Sequence, residues 1–387
     1  MGRRLRIGLF SPYFGFTVGG GEKYLAVAAE ALRDAYPEHA IEIVSPVPVD
    51  AGRYRALLNV NLDGIGLRAT NPRVTPVHRL ANRLRPLRPL RNLVVSAQAG
   101  RATADYDLLL GMVYAIPVRS RARRSVMLCQ FPYPDPDPRD IEPYELIIAQ
   151  SRYTRGWVQE YWNREAAVVN PPIDLPAGPP EWAAKRNLIL GVGRFFATGH
   201  TKRQDLLVES FRRLCDRGLE GWELHLAGAV HRDAAHAGYY ERVSARAAGY
   251  PVVLHPDAGY QEVQDLYRSA AIFWHAAGYG VDPRADPGAL EHFGMTTAEA
   301  MAAGAVPLAY GVGGQAEVLA DNVEGHLWST PADLEARTIE LVGDPAMRRR
   351  MGEAAAAGSR RFGRDEFRRK MLELLHPIVQ ELSDTPR

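Results

Sequence analysis

Glu291-His-Phe-Gly-Met-Thr-Thr-Ala-Glu299-Ala-Met-Ala-Ala-Gly304 is followed, one residue later, by the short apolar run Val306-Pro-Leu-Ala309. The alanines and Met301 are good helix formers, Phe293-Gly294-Met295 reads as a loop feeding the helix, and Gly304 reads as its end. The stretch therefore predicts loop, helix and buried strand in succession. Strand and helix signals alternate in the same way on either side of it. Upstream, 187–194 reads as a strand ending in Gly191 and Gly193, with further strands at 222–228, 252–254 and 272–274 and helices around 239–248 and 261–269. Repeated units of this kind imply a parallel, doubly wound sheet.

The N-terminal half repeats the scheme. Residues 5–9, 41–44, 108–110, 125–130, 147–149 and 168–169 are short apolar runs bounded by breakers, as in buried parallel strands. Gly19-Gly20-Gly21-Glu22 opens a helix whose Leu25, Ala28, Ala29 and Leu32 share one face. Asn170-Pro-Pro-Ile-Asp-Leu-Pro-Ala-Gly-Pro-Pro180 cannot be regular structure and reads as a linker. The last apolar stripe is Phe367, Met371, Leu374, Leu375, Ile378 and Leu382. The fold class that follows is α/β, with two Rossmann-like, doubly wound parallel-sheet domains.

Several residues in this frame carry chemistry. Glu299 admits two roles. Thr296-Thr-Ala-Glu299 has the spacing of a capping box, in which the two side chains satisfy each other's end of the helix. Alternatively, the first N–H groups of the helix face a phosphate, and Glu299, one turn in, accepts hydrogen bonds from a sugar diol. Glu291 stands in the loop beside His292 and Phe293 and has no cap role. Two acids at one helix mouth suggest a polyhydroxylated ligand. Thr201-Lys-Arg-Gln204 also has capping-box spacing, and Lys202 on a first helical turn would oppose the dipole unless an anion lies nearby. The Gly19–Gly21 turn is either a tight connection or a place where backbone N–H groups approach an anion. Lys23, just beyond it, is expected to face solvent.

Two rival motifs are weaker. Gly191-x-Gly193 could begin a dinucleotide-binding fingerprint, but Phe196 replaces the third glycine and no acid closes a strand about 20 positions on. Asp135-Pro-Asp137 matches a metal-binding Asp-x-Asp, yet the flanking prolines impose a stiff extended loop and the spacing is common by chance, so no metal site is assigned.

Glu-x7-Glu at 291 and 299, Ala-Met-Ala-Ala-Gly304, Pro307 and Gly313-Gly-Gln-Ala-Glu317 together resemble the donor-site signature of retaining glycosyltransferases of the GT4 family. The Glu-His-Phe-Gly variant is similar to a group of mannosyltransferases and their bacterial relatives. The resemblance implies a GT-B fold, two Rossmann-like domains facing a cleft: 1–175, acceptor-side and joined by the C-terminal helix 364–383, and 176–363, which binds the nucleotide sugar. It implies transfer of a hexose from a nucleoside diphosphate sugar, GDP-hexose favoured over UDP-sugar, to a hydroxyl-bearing acceptor, with no cofactor and no metal. Arg194, Lys202 and Glu291 take the catalytic roles. Gly20, Phe293, Gly294, Met295, Thr296 and Glu299 bind the donor, and Gln130, Gly21 and His292 contact acceptor or sugar. Leu128-Cys-Gln130-Phe-Pro132 departs from the family's Tyr-Val-His-Tyr-Pro, and an amide at 130 cannot titrate near neutral pH. The alternative is a non-catalytic sugar-nucleotide-binding protein or a sugar-nucleotide epimerase on the same fold.

Composition narrows the classes. A chain of 387 residues suits two domains, and 46% apolar with 24% charged residues is the balance of a globular enzyme. A net charge of +2 gives no electrostatic case for a nucleic-acid partner. Two cysteines, Cys129 and Cys215, support neither a disulfide framework nor a zinc cluster, and no segment approaches the roughly 20 apolar residues of a membrane span, so a cytoplasmic protein is expected. Residues 68–101 carry eight arginines and no acid, interleaved with leucines at helical spacing. They are either a solvated arginine face or a basic surface for an anionic acceptor or a peripheral membrane contact. The absence of lysines and bulky interfacial aromatics argues against the membrane.

Overall fold

The computed structural model describes residues 3–70, 100–114, 118–231 and 233–385. Most of the arginine-rich stretch, 71–99, lies outside the described residues. The chain forms two compact units, Met1–Pro172 with Arg364–Arg387, and Ile173–Gly363.

In the first unit the six runs become β1 (Arg6–Phe10), β2 (Ala40–Ser45), β4 (Leu108–Tyr114), β5 (Arg124–Phe131), β6 (Leu146–Ala149) and β7 (Ala167–Val168), and β3 (Gly66–Ala69), which is not an apolar run, adds an edge strand. They pair in parallel in the order β3-β2-β1-β4-β5-β6-β7. Helices α1 (Gly20–Ala35), α2 (Ala51–Leu58), α3 (Pro138–Ile141) and α4 (Arg152–Trp162) connect them. Asp50, Asp137 and Ser151 cap α2, α3 and α4, each accepting a backbone N–H of the first turn. Asp137 also pairs with Arg119 and Arg139, so this acid of the Asp-x-Asp sequence is engaged in a cap and two ion pairs.

In the second unit β8 (Arg186–Val192), β9 (Glu223–Gly228), β10 (Val252–Pro256), β11 (Ala270–His275), β12 (Val306–Tyr310) and β13 (His326–Trp328) form a parallel sheet in the order β10-β9-β8-β11-β12-β13. The helices are α5 (Gln204–Asp216), α6 (Ala234–Ala247), α7 (Tyr260–Ser269), α8 (Met295–Ala302), α9 (Pro331–Gly343) and α10 (Pro345–Ser359). Both faces of the sheet are covered. Leu224, Leu226, Ile272 and Trp274 pack with Leu207, Phe211 and Val243 on one side, and Leu188, Leu190 and Phe273 with Leu266, Tyr267 and Ala300 on the other. This is the doubly wound arrangement in each unit, with the strand order reversing between β1 and β4 and between β8 and β11.

The chain leaves the second unit at Gly363, and α11 (Arg364–Asp384) packs in the first. Phe367 meets Tyr24 edge-on at 5.0 Å, and Met371, Leu375, Val379 and Leu382 join the core that α1 enters. Helix α1 is consequently buried along most of its length. That corrects the expectation for Lys23, which is 4% exposed and does not face solvent. None of the described helices is long and apolar enough to cross a membrane.

Met371 is fully buried in this core, so Met371→Ala should destabilise the first unit by about 2–5 kcal/mol. Hydrogen exchange followed by mass spectrometry should show the loss in peptides from α1 and β1, with peptides of β8 and β11 unchanged.

Candidate functional site

In open parallel sheets ligands bind beyond the carboxyl ends of the strands where strand order reverses. In the second unit those ends are Val192 of β8 and His275 of β11, and Lys202 and Glu291 meet beside His275. Beyond β8 the chain stays alongside the continuation of β9 in parallel register, Gly193 N–H donating to Ala227 O at 2.8 Å and Phe195 N–H to Ala229 O at 3.0 Å. Gln204 at the start of α5 braces it, its Nε2 donating to Gly193 O at 2.9 Å and Arg194 O at 3.2 Å. The Lys202 side chain crosses Gly193 where a Cβ would overlap it. Its ammonium bonds Glu291 Oε2, and His275 Nε2 lies 3.2 Å from that same oxygen.

Two capping expectations are corrected here. Arg203, with φ 53°, is the residue before α5, so Lys202 stands outside the helix and not on its first turn. Gly294, with φ 112°, plays the same part for α8, and no side chain caps that helix. The Thr296–Glu299 capping box therefore does not form. Glu299 Oε2 instead accepts from the Tyr267 hydroxyl at 3.1 Å, and the buried phenol is held well above its ordinary value, first by burial and then by the Glu299 charge. A Cβ on Gly294 would overlap the Gln315 carboxamide, whose Nε2 donates to Thr297 Oγ1 at 3.0 Å.

The remaining loop residues divide by depth. Phe293 is buried against Phe362, ring centroids 5.0 Å apart, so any contact with a ligand falls to its backbone. His292 is also buried, its Nε2 3.0 Å from Gly288 O and its ring edge-on to His200 at 4.6 Å. Burial pushes its imidazole down to about 3. Met295 and Thr296 begin α8 and are part-exposed. Arg194 is exposed, its guanidinium 4.4 Å above the Phe196 ring, which stacks on His236 at 4.5 Å.

His200, His275 and Tyr267 also belong to this neighbourhood, and none was singled out from the sequence. The charges of Glu291, Lys202, Arg194 and Asp286 all act on His200, which burial holds below its ordinary value. The signal for His275 was its place at the carboxyl end of a strand beside the order reversal. His200 and Tyr267 offered none.

Gly20, Gly21 and Gln130 form a separate group in the first unit. Gly20 is the first residue of α1, and a Cβ on Gly21 would overlap the Gln130 carboxamide. The Gln130 backbone carbonyl accepts from Gln150 Nε2 at 2.6 Å and Thr154 Oγ1 at 3.2 Å. The lysines differ sharply in place: besides Lys202, Lys23 is buried, Lys370 pairs with Glu366 at 3.3 Å, and Lys185 donates to Ala270 O at 2.7 Å, its amine pushed down to about 7 by burial. Among the described residues no group of three or more His, Cys, Asp or Glu side chains is placed to hold a metal ion.

Comparison with solved structures shows the fold to be GT-B. A glycosyltransferase from Rickettsia africae superposes with a TM-score of 0.67 at 16% identity, covering 98% of this chain and 99% of that one. Sucrose-phosphate synthase from Thermosynechococcus elongatus gives 0.70 at 16% over 98% and 100%. Anabaena HepE, solved in complex with UDP and glucose, gives 0.66 at 14% over 96% and 100%. Residues 178–357, which lie within the second unit, match the family described as "Glycosyl transferases group 1". Two proteins named D-inositol 3-phosphate glycosyltransferase are similar in sequence. The one from Xylanimonas cellulosilytica is 34% identical over 125 residues, 32% of this chain and 27% of that protein. The one from Arthrobacter is 28% identical over 277 residues, 65% of this chain and 62% of that protein. The chain thus spans less than two thirds of the length of either relative.

Burial by itself would raise the Glu291 carboxyl, but the Lys202 charge and the hydrogen bond from His275 hold it well below its ordinary value. Its contribution to stability is therefore complete above the ordinary glutamate value of about 4.3 and is lost as pH falls through the depressed folded value. Lys202→Met should cost about 1–3 kcal/mol at neutral pH. The loss should shrink as pH is lowered toward the depressed value, and adding Glu291→Gln should recover part of it. Chemical unfolding across a pH series checks both, and a pH-independent loss would contradict the account.

Proposed function

We propose that this protein is a retaining hexosyltransferase that takes its sugar from a nucleoside diphosphate and needs no metal. The observation that carries the reading is the grouping, at the order reversal of the second sheet, of two cations, Arg194 and Lys202, with the Glu291 carboxylate and the mouth of α8. Breaking the anomeric bond leaves a diphosphate with one more negative charge. Arg194, Lys202 and the first N–H groups of α8, at Gly294, Met295 and Thr296, would stabilise that charge in the place a metal otherwise takes. The backbone of Phe293 would lie along the same anion. Glu299 would hold the ribose diol, and Glu291 would accept from sugar hydroxyls and favour positive charge developing at the ring.

Retention follows if the acceptor hydroxyl attacks from the leaving-group side and a phosphate oxygen takes its proton. That route needs no protein base. It suits Gln130, whose amide cannot accept a proton near neutral pH. Gly20 and Gly21 would place backbone against the donor phosphate or the acceptor. The resemblance of Glu291-His-Phe-Gly294 to mannosyltransferases favours a GDP-hexose over a UDP-sugar, and such donors make the cytoplasm the fitting compartment.

Thermal-shift screening against GDP, UDP and dTDP tests the donor site, since a nucleotide at about 100 times its dissociation constant should stabilise the fold by about 2.7 kcal/mol. With the preferred donor in hand, Arg194→Ala and Lys202→Ala should each lower turnover about 100- to 1,000-fold without unfolding the protein. Donor hydrolysis without acceptor separates a transferase from a passive binder, and product analysis separates it from an epimerase. Near wild-type turnover in both variants would end the clamp.

A further inference from the structure

His275 closes β11 and is 2% exposed, wholly within the protein. Its Nε2 is 3.2 Å from Glu291 Oε2, while its Nδ1 is buried with no hydrogen-bond partner. An ionised carboxylate only accepts, so Nε2 carries the proton and Nδ1 is a bare acceptor. Burial holds the imidazole below its ordinary value against the pull of Glu291, which favours the neutral form. An orphaned acceptor in the interior is a standing cost that an apolar side chain of similar size would not carry. Something other than packing therefore accounts for a histidine at this strand end.

The pattern of donors on Glu291 indicates what that is. Lys202 and His275 both end on Oε2, and Oε1 accepts from neither. The terminal torsion of a glutamate is broad, so one donor would let the carboxylate swing, whereas two donors from different elements fix its plane. The backbone beneath is fixed as well, Gly314 N–H donating to Glu291 O at 2.6 Å. The Glu291 side chain is 16% exposed.

We propose that His275 is a positioning residue, which with Lys202 saturates Glu291 Oε2 and so presents Oε1 as the acceptor for a hydroxyl of the hexose. This rests on the donor reading above. Affinity then divides into two parts: His275 governs recognition of the sugar through Glu291 and leaves recognition of the nucleotide alone.

Calorimetric titration of GDP, UDP, GDP-mannose and UDP-glucose into the full chain tests this. In His275→Leu the nucleoside diphosphate should bind within about two-fold of wild type, and the matching sugar nucleotide should weaken about ten-fold or more. His275→Gln, whose amide nitrogen can take the place of Nε2, should restore most of the loss. In a Glu291→Gln background, His275→Leu should add less than about two-fold, because the two residues act as one. Unchanged sugar-nucleotide binding in His275→Leu, equal weakening of nucleotide and sugar nucleotide, or additive losses would each overturn the proposal while the donor reading stood. Wild-type protein that binds none of the four probes would overturn both.

Discussion

A carboxylate withdrawn from water at a strand end must be met by charge and hydrogen bonds, and the surroundings of Glu291 are arranged to meet it. Lys202 reaches it only by lying across Gly193, and Gly193 in turn approaches Gly228 so closely that a side chain on either would collide. His275 reaches it from β11, and the Gly313-Gly314 turn packs under the backbone of Glu291 and His292. Glycines from three separate segments, at 193, 228 and 313–314, are thus drawn into the packing around one ionised group.

Helix α8 is held in the same way at both ends. Gly294 takes a left-handed conformation against Gln315, and Gly304, with φ 80°, lies under Pro180 and Trp182. The proline-rich segment that reads as a loose linker is therefore packed at this point on the end of the helix, and Ile173 N–H donates to Phe362 O at 2.9 Å. Between those ends Ala298, Ala300, Met301 and Ala302 are buried, so the helix can shift little without disturbing the core. Its open N–H groups are fixed in direction before any anion arrives, which is the condition under which such dipoles are worth most.

The fold was legible because parallel strands buried on both faces leave continuous apolar runs, as in Leu108-Leu-Leu110 and Ile272-Phe-Trp274, and Gly193 stands directly after the end of β8. Helix starts were not legible. Both capping boxes, at Thr201 and Thr296, had the right spacing and did not form, because the chain enters α5 and α8 through left-handed residues, Arg203 and Gly294, selected by contacts with Tyr279 and Gln315. Such contacts are tertiary and leave no local pattern. The core that α1 enters is non-local as well, since α11, which joins it, lies over 300 residues further along the chain. The arrival of His275 and Lys202 on one oxygen of Glu291 depends on three segments meeting, which spacing cannot reveal.

That meeting also decides where positive charge resides. His200, His275 and His292 all lie close to Glu291, and burial lowers each of them. Burial thus disfavours the charged form of all three, which works against their making the site's charge follow pH. The cationic side chains acting on this cluster are Lys202 and Arg194, and one of the two is already engaged by a carboxylate. On the proposed reading an incoming diphosphate would meet one exposed guanidinium 4.4 Å over the Phe196 ring, one ammonium shared with Glu291, and the N-terminal end of α8. Such a site would draw its positive charge from side chains that need no proton from solution, and the buried imidazoles would serve to orient groups instead of charging them.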